Sequence, residues 1–184
     1  MEQTNEKQKN KKPKVRTIDL AYIGLFAALI AASAQIAIPM TVSFTLQTFT
    51  ICLAAGLLGW KRSTLSVIIY IIIGMIGLPV FTGFKSGVAA VTGPTGGFIV
   101  GFIFTALLAG LLIDKFGHKF WQMILFMAIG VIACYIFGTI WFIIAYKATL
   151  ASALTTCVVP FILPDAVKVV LAAVLANRLR RFVK

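Results

Sequence analysis

The sequence predicts an all-α membrane protein of six transmembrane helices, with both termini in the cytoplasm. Of its 184 residues, 60% are hydrophobic and only 12% are charged, and the mean hydropathy is +1.01. A soluble domain of this length could not bury so much apolar surface, so a membrane protein is the natural class. Six apolar runs and the positions of the basic residues predict the number of helices and their direction.

About 20 apolar residues form a helix that crosses a bilayer, so each apolar run is assigned one helix. The six runs are Ile18–Ile38, Phe44–Trp60, Leu65–Phe81, Gly96–Ile113, Trp121–Ala145 and Asp165–Asn177. The fifth is long enough to tilt, and the sixth is short, so we expect its helix to begin upstream, near Val158. The helices make one domain, residues 18–178, between basic cytoplasmic tails at residues 1–17 and 179–184.

The basic residues orient the helices. All but three of the 17 lysines and arginines lie in the two tails, at Arg178 just before the second tail, or after the second and fourth runs. The exceptions are Lys85, Lys147 and Lys168. This alternation is the positive-inside pattern, with both termini cytoplasmic. The net charge of +12 therefore reflects topology and attraction to anionic lipid of the bilayer, and no nucleic-acid partner is expected.

Three connections face outward in this orientation, and they gather proline, glycine and polar residues. They span Pro39–Ser43, Thr82–Thr95 and Tyr146–Pro164. Irregular backbone at membrane depth is tolerated only where protein or a water-filled cavity satisfies its polar groups. We therefore expect a pocket for a small, partly apolar ligand in the outer half of the bundle. The aromatic residues that flank these connections, and could wall such a pocket, are Phe81, Phe84, Phe98 and Phe161.

Asp165 and Lys168 are the only charged residues between Lys147 and Arg178. A charge at membrane depth costs at least about 2.5–3.5 kcal/mol, so such residues indicate a functional site. Their spacing puts both side chains on one face of a helix. Pro164, just before Asp165, favours a helix that starts at Asp165. Two interpretations are open. In one, the pair only neutralises itself. In the other, the lysine pairs with a ligand carboxylate and the aspartate accepts from ligand N–H groups.

Two groups of small residues also have two interpretations each. In the run Gly93-Pro-Thr-Gly-Gly97, Thr95 could cap a helix. The glycines there either let helices pack closely or expose N–H groups, near Gly96 and Gly97, to a ligand oxygen. Ala28 and Ala32, one turn apart in the first helix, make either a contact within the chain or a docking face for another membrane subunit.

Together these features resemble the BioY family, the substrate-specific components of energy-coupling-factor (ECF) biotin transporters. The stretches that carry the resemblance are Gly77-Leu-Pro-Val-Phe81, Gly93-Pro-Thr-Gly-Gly97 with Gly101-Phe102, and Pro160-Phe161 followed by Asp165 and Lys168. There are two departures from the family pattern. Phe98 stands where Tyr is common, so it offers no hydroxyl, and Pro164 precedes the aspartate where Gly is frequent.

The resemblance implies a protein of the bacterial inner membrane that binds biotin from outside, without being an enzyme or needing a cofactor or a metal. Its implied partners are a transmembrane coupling subunit, docked through Ala28 and Ala32, and two cytoplasmic ATPase subunits. The implied biotin-binding residues are Asp165, Lys168, Phe81, Lys85, Gly96, Gly97 and Phe161. Asp165 would accept from a ureido N–H, and Lys168 would donate to the ureido carbonyl or the carboxylate. Lys85 or the N–H groups near Gly96 would hold the other end.

The alternative is a solitary or proton-coupled secondary carrier of a small organic solute, with Asp165 as the proton site. It predicts flux driven by a pH gradient without an ATPase. Apart from Asp19, at the start of the first run, the apolar runs contain no further acid for a proton relay, which disfavours it. They also lack a Ser/His, paired-carboxylate or HExxH constellation, which disfavours an enzyme.

Overall fold

The computed structural model describes residues 16–182, and apart from two very short strands the elements of this segment are helical. The longer elements are α1 (Thr17–Gln35), α2 (Gln47–Ile76), α4 (Gly96–Phe116), α5 (Phe120–Tyr146) and α7 (Val159–Leu179). The shorter ones are β1 (Ala37–Ile38), β2 (Phe44–Thr45), α3 (Val88–Thr92), α6 (Leu150–Cys157) and 3₁₀ turns at Thr82–Phe84 and Arg180–Phe182.

Five helical segments in this part of the chain are long and apolar enough to cross a membrane. They are α1, α2, α4, α5 and the run Leu150–Phe182, which contains α6 and α7. The predicted class, an all-α membrane protein, is therefore confirmed. The basic N-terminal tail lies outside the described residues except for its last two positions, and so do the last two residues of the C-terminal tail.

The segment α2 reverses direction at Gly59, whose backbone is non-helical at φ 74°, ψ 175°. Gln47 Nε2 at its start lies 2.8 Å from the Tyr70 hydroxyl near its end. In a straight helix, 23 residues would separate them by about 35 Å. The two antiparallel halves correspond to the predicted helices Phe44–Trp60 and Leu65–Phe81. The predicted loop between them is absent, because the helix resumes at once and Asp114 accepts a hydrogen bond from the Trp60 N–H at 3.0 Å.

The helices pack mainly around α2 and α4: α4 packs against α5 and α2, whereas α1 and α7 pack against α2. Glycines allow this close approach, since a Cβ at Gly101 would lie 2.9 Å from the Cys134 sulfur. Two buried apolar clusters result. One contains Tyr70 and Phe98 and borders the cavity described below, and the other contains Met123 and lies on the side of the Gly59 reversal.

The predicted outward connections contain regular structure. Pro39–Ser43 is the turn of the β1–β2 hairpin, in which Ala37 pairs with Thr45. Thr82–Thr95 holds a 3₁₀ turn and α3, and Tyr146–Pro164 holds α6 and the start of α7. The main chain therefore satisfies its own hydrogen bonds over much of this end of the bundle.

Two details of helix starts differ from prediction. The helix containing Asp165 begins at Val159, with Pro160 in its first turn and Pro164 inside it, so Pro164 does not start a helix. The expectation of a start near Val158 is confirmed. Thr95 precedes α4, but its side chain makes no cap hydrogen bond. Its main-chain oxygen accepts from the Phe98 and Ile99 N–H groups instead, so the predicted side-chain cap is wrong.

Candidate ligand-binding site

A cavity of about 500 Å³ lies between the β hairpin, the loop that follows α2 and the facing ends of α4, α5 and α7. The structure brings most of the predicted site residues to its wall. Those lining it are Phe81, Phe84, Lys85, Phe98, Phe161, Asp165 and Lys168. Residues far apart in the sequence thus line one cavity, as expected if the three predicted connections surround a pocket.

Lys168 is held by three acceptors. Its Nζ lies 2.8 Å from Asp165 Oδ1, 2.6 Å from the Thr45 main-chain oxygen and 3.1 Å from Thr48 Oγ1. It also lies 3.7 Å from the centroid of the Phe44 ring, close enough for a cation–π contact. An ammonium carries three hydrogens, so these acceptors use all of them.

Asp165 is equally well bonded, and it joins three elements. Its Oδ1 accepts from Thr48 Oγ1 at 3.0 Å as well as from Lys168, and its Oδ2 accepts from the Tyr135 hydroxyl at 2.6 Å. Asp165 is only 3% exposed and Lys168 5%. Burying such charges is tolerable because each is paired and hydrogen-bonded. The pair neutralises itself and also lines the cavity, so the two interpretations from the sequence are compatible.

A second polar cluster, without charge, lies on the wall formed by the start and end of α2. Gln47 Oε1 accepts from Thr45 Oγ1 at 3.1 Å and from Thr82 Oγ1 at 3.5 Å. Gln47 Nε2 donates to the Tyr70 hydroxyl. Thr45 connects the two clusters, because its main-chain oxygen accepts from Lys168 while its hydroxyl donates to Gln47.

Aromatic rings enclose the space between the polar clusters. The Phe161 ring lies 6.1 Å from the Phe44 ring and 6.4 Å from the Phe98 ring, centroid to centroid. The Phe81 ring meets the Tyr70 ring edge to face at 5.5 Å. Rings with polar groups at a few fixed points are typical of sites for small, partly apolar ligands.

The covering loop, residues 78–86, closes one side of the cavity and is fastened to α1 by Gln35. Gln35 Nε2 donates to the Phe81 oxygen at 3.1 Å and the Val80 oxygen at 3.3 Å, and its Oε1 accepts from the Phe84 N–H at 3.1 Å. Phe84 is held at φ 57°, a backbone region that non-glycine residues seldom occupy. One side chain therefore fixes the loop that carries Phe81 and Lys85.

Lys85 lies at the exposed edge of the cavity, and its ammonium makes no ion pair or hydrogen bond within residues 16–182. Gly96 and Gly97 are not among the lining residues. A Cβ at Gly96 would lie 3.1 Å from Trp141 Nε1, and Gly97 also packs against Trp141. The Gly96 N–H bonds the Gly93 oxygen at 3.0 Å. This geometry favours the packing interpretation of the two glycines.

Ala28 and Ala32 lie exposed on α1, away from the cavity lining. Gly24, one turn before Ala28, is also exposed, and a Cβ there would meet nothing within 4 Å. This small-residue face therefore makes no close contact within the described chain, contrary to the intramolecular interpretation.

Sequence reasoning assigned no role to Tyr135, Tyr70 or Gln35. A signal existed for the tyrosines, because a buried phenol in an apolar helix needs a hydrogen-bond partner for its hydroxyl. Gln35 gave no such signal, because two of its partners are main-chain oxygens some 45 residues away. Main-chain acceptors occur in every residue and leave no trace in the sequence.

Fold and site together define a multi-pass membrane protein with a ligand cavity at one end of a helical bundle. A sequence profile of the BioY family matches residues 6–184, and the chain belongs to that family. The family predicted from the sequence motifs is thereby confirmed.

Individual relatives agree with this membership. The chain is 41% identical over 160 residues to the biotin transporter BioY of Thermotoga maritima, covering 86% of this chain and 93% of the relative. It is 33% identical over 180 residues to the biotin transporter BioY of Rhodobacter capsulatus, covering 89% and 94%. A crystal structure of the S-component for biotin from an ECF-type ABC transporter matches with a TM-score of 0.85 and 30% identity, over 94% of this chain and 95% of that one.

Proposed function

We propose that this chain is a substrate-specific component that captures biotin from outside the cell. An ATP-driven module, made of a transmembrane coupling subunit and two cytoplasmic ATPase subunits, then drives its delivery inward. The observation that carries the proposal is the buried Asp165–Lys168 pair on the wall of a cavity of about 500 Å³, in a chain of the BioY family. The names of the relatives identify transporters, in agreement with the prediction that the chain is not an enzyme.

The cavity suits the groups of biotin. Biotin has a ureido ring with two N–H donors and one carbonyl, an apolar sulfur ring and a carboxylate tail. Among residues 16–182, Asp165 Oδ2 accepts from Tyr135 alone, so it has capacity left for a ureido N–H. The rings of Phe81, Phe98 and Phe161 enclose the sulfur ring. Lys85, at the exposed edge, pairs with the carboxylate.

For the topology, we propose six crossings of the bacterial inner membrane with both termini in the cytoplasm. The reversal at Gly59 supports this count, since it divides α2 into two antiparallel halves. Basic residues around that reversal support the direction. Lys61, Arg62 and Arg180 line one polar cleft there, at the end of the bundle opposite the cavity, so the cavity faces outward.

For the coupling subunit, we propose docking through Ala28 and Ala32. Both are exposed on α1, and small residues let a partner helix approach closely in lipid, where apolarity alone gives no driving force. The absence of a large side chain at Gly24 extends the same face by one turn.

The test is binding of radiolabelled biotin to the purified chain in detergent, without ATPase partners. We expect saturable binding at one site per chain, and the absence of saturable binding would overturn the proposal. Uptake in cells with and without the ATP-driven module then separates the alternatives. Uptake that persists without the module and stops when the proton gradient is dissipated would support a proton-coupled carrier instead.

A further inference from the structure

Tyr70 and Gln47, two buried side chains on the cavity wall, each have one hydrogen without an acceptor in the described part of the chain. Tyr70 is 1% exposed and Gln47 is 3% exposed, and both line the cavity. The Tyr70 oxygen accepts from Gln47 Nε2 at 2.8 Å. Within residues 16–182, neither the Tyr70 hydroxyl hydrogen nor the second hydrogen of Gln47 Nε2 is donated to any group. A buried polar group left without a partner costs about 1–3 kcal/mol, so such donors indicate a missing acceptor.

The oxygen end of the Gln47 amide faces two threonines, and its nitrogen end faces Tyr70. Thr45 Oγ1 accepts from the Gln47 main-chain N–H at 3.4 Å, so its own hydrogen is available for Gln47 Oε1, 3.1 Å away. Thr82 Oγ1 approaches the same oxygen at 3.5 Å. With Oε1 facing two hydroxyls, the amide nitrogen faces Tyr70. The phenol must then direct its hydrogen away from Gln47.

We propose that Tyr70 and Gln47 form a neutral donor pair that binds the carbonyl oxygen of a neutral cyclic urea. This rests on the function proposed above, in which the urea is the ureido ring of biotin. Lys168 is a poorer donor to that carbonyl, because its three hydrogens are already used by Asp165, Thr45 and Thr48. Asp165 accepts a hydrogen bond from a urea N–H, and Tyr70 and Gln47 donate hydrogen bonds to the urea carbonyl oxygen.

The carboxylate of the ligand does not suit the neutral Tyr70–Gln47 pair, because it carries a charge. A carboxylate buried against two neutral donors would lose its hydration without a compensating cation. Lys85 offers a cation at the exposed edge of the same cavity. A neutral carbonyl loses far less hydration on burial, so it is the acceptor that the Tyr70–Gln47 wall suits.

The test compares biotin with two analogues on the purified full chain. Biotinol replaces the carboxylate by a hydroxymethyl group and keeps the urea, whereas 2-thiobiotin keeps the carboxylate and replaces the urea oxygen by sulfur, a weaker acceptor. Tyr70→Phe is expected to weaken biotin about 10-fold, the loss of one buried hydrogen bond. Biotinol should weaken by the same factor, and 2-thiobiotin by clearly less. Tyr22→Phe, a change outside the cavity lining, is the matched control and should leave all three affinities unchanged.

Three outcomes would overturn the inference while leaving the proposed function intact. The first is unchanged biotin affinity in Tyr70→Phe. The second is a loss for biotin but none for biotinol, which would assign the donor to the carboxylate. The third is an equal loss for biotin and 2-thiobiotin. If Tyr70→Phe does not fold, Gln47→Met must give the same pattern, and a different pattern there overturns it. By contrast, wild-type chain without saturable biotin binding would overturn the proposed function itself.

Discussion

At the scale of single residues, the site contains buried opposite charges, each with hydrogen-bond partners among its neighbours. Asp165 and Lys168 neutralise each other at 2.8 Å, and Thr48 lies between them as both donor and acceptor. Tyr135 donates to the other carboxylate oxygen, Oδ2. This bonding holds the carboxylate in one orientation before a ligand arrives, so less ordering is needed on binding.

Neutralising one residue of the pair is expected to harm stability and binding, and neutralising both to harm binding alone. Asp165→Asn or Lys168→Met leaves the other charge buried without its partner, at a cost of about 3–5 kcal/mol. The double variant Asp165→Asn/Lys168→Met should regain most of that stability, because no buried charge remains. Its biotin affinity should still be at least about 30-fold below wild type.

Thermal unfolding in detergent and biotin titration of the same preparations measure the two effects. The single variants serve as controls for the double one. Wild-type affinity in a stable double variant would show that the pair serves stability only, and that the ligand contacts lie elsewhere in the cavity.

At the scale of elements, the covering loop depends on one glutamine of α1. Gln35 makes hydrogen bonds to the main chain of Val80, Phe81 and Phe84, while the loop has little regular structure of its own. Segments with few bonds to the rest of a protein open most easily. We therefore expect the ligand to enter and leave when this loop opens.

Gln35→Glu is expected to speed biotin dissociation by about 10-fold, because it removes the N–H donors to two loop carbonyls and keeps the acceptor for Phe84. The measurement is the release rate of radiolabelled biotin after dilution into unlabelled ligand. Hydrogen exchange of residues 78–86 should rise in parallel. Gln122→Glu, outside the cavity lining, is the matched control. An unchanged release rate in Gln35→Glu would show that the clamp does not limit opening.

The sequence predicted those features that have a large free-energy cost or a recognisable pattern. Charged residues within apolar segments are conspicuous because their burial is costly, which is why Asp165 and Lys168 were identified. Most helices were identified because their apolar runs are long enough to cross a membrane. The predicted loop between the second and third helices lies several residues after the actual reversal at Gly59. Lys61 and Arg62 suggest a loop, but they belong to a helix, and their side chains extend to the polar cleft at its end. The partners of Gln35 and Tyr135 depend on tertiary packing, which one sequence does not reveal.

At the scale of the whole molecule, α1 connects two functions. Its exposed face bears Ala28 and Ala32, and its C-terminal end bears Gln35, which holds the covering loop. A partner that docks on the face and displaces α1 would thus act on the loop through a single rigid element. The cavity itself need not be touched by the partner.

Enlarging that face is expected to separate binding from transport. Ala28→Leu/Ala32→Leu should leave biotin affinity of the isolated chain unchanged, because neither residue lines the cavity. Copurification with the coupling subunit, and uptake driven by it, should be lost, because bulky side chains prevent close helix approach. Ala151→Leu, an exposed position on α6, is the control and should preserve both. Normal copurification of the double variant would contradict docking at this face.

The mutual neutralisation of Asp165 and Lys168 also determines how the chain responds to membrane voltage. Moving one elementary charge through 100 mV changes the free energy by about 2.3 kcal/mol. Opposite charges 2.8 Å apart move together when the bundle reorients, so their contributions cancel. A biotin carboxylate paired with Lys85 cancels in the same way. In the transport proposed above, the electrical potential across the membrane would then neither drive nor oppose movement of the loaded site, and the energy for release would come from the ATP-driven module.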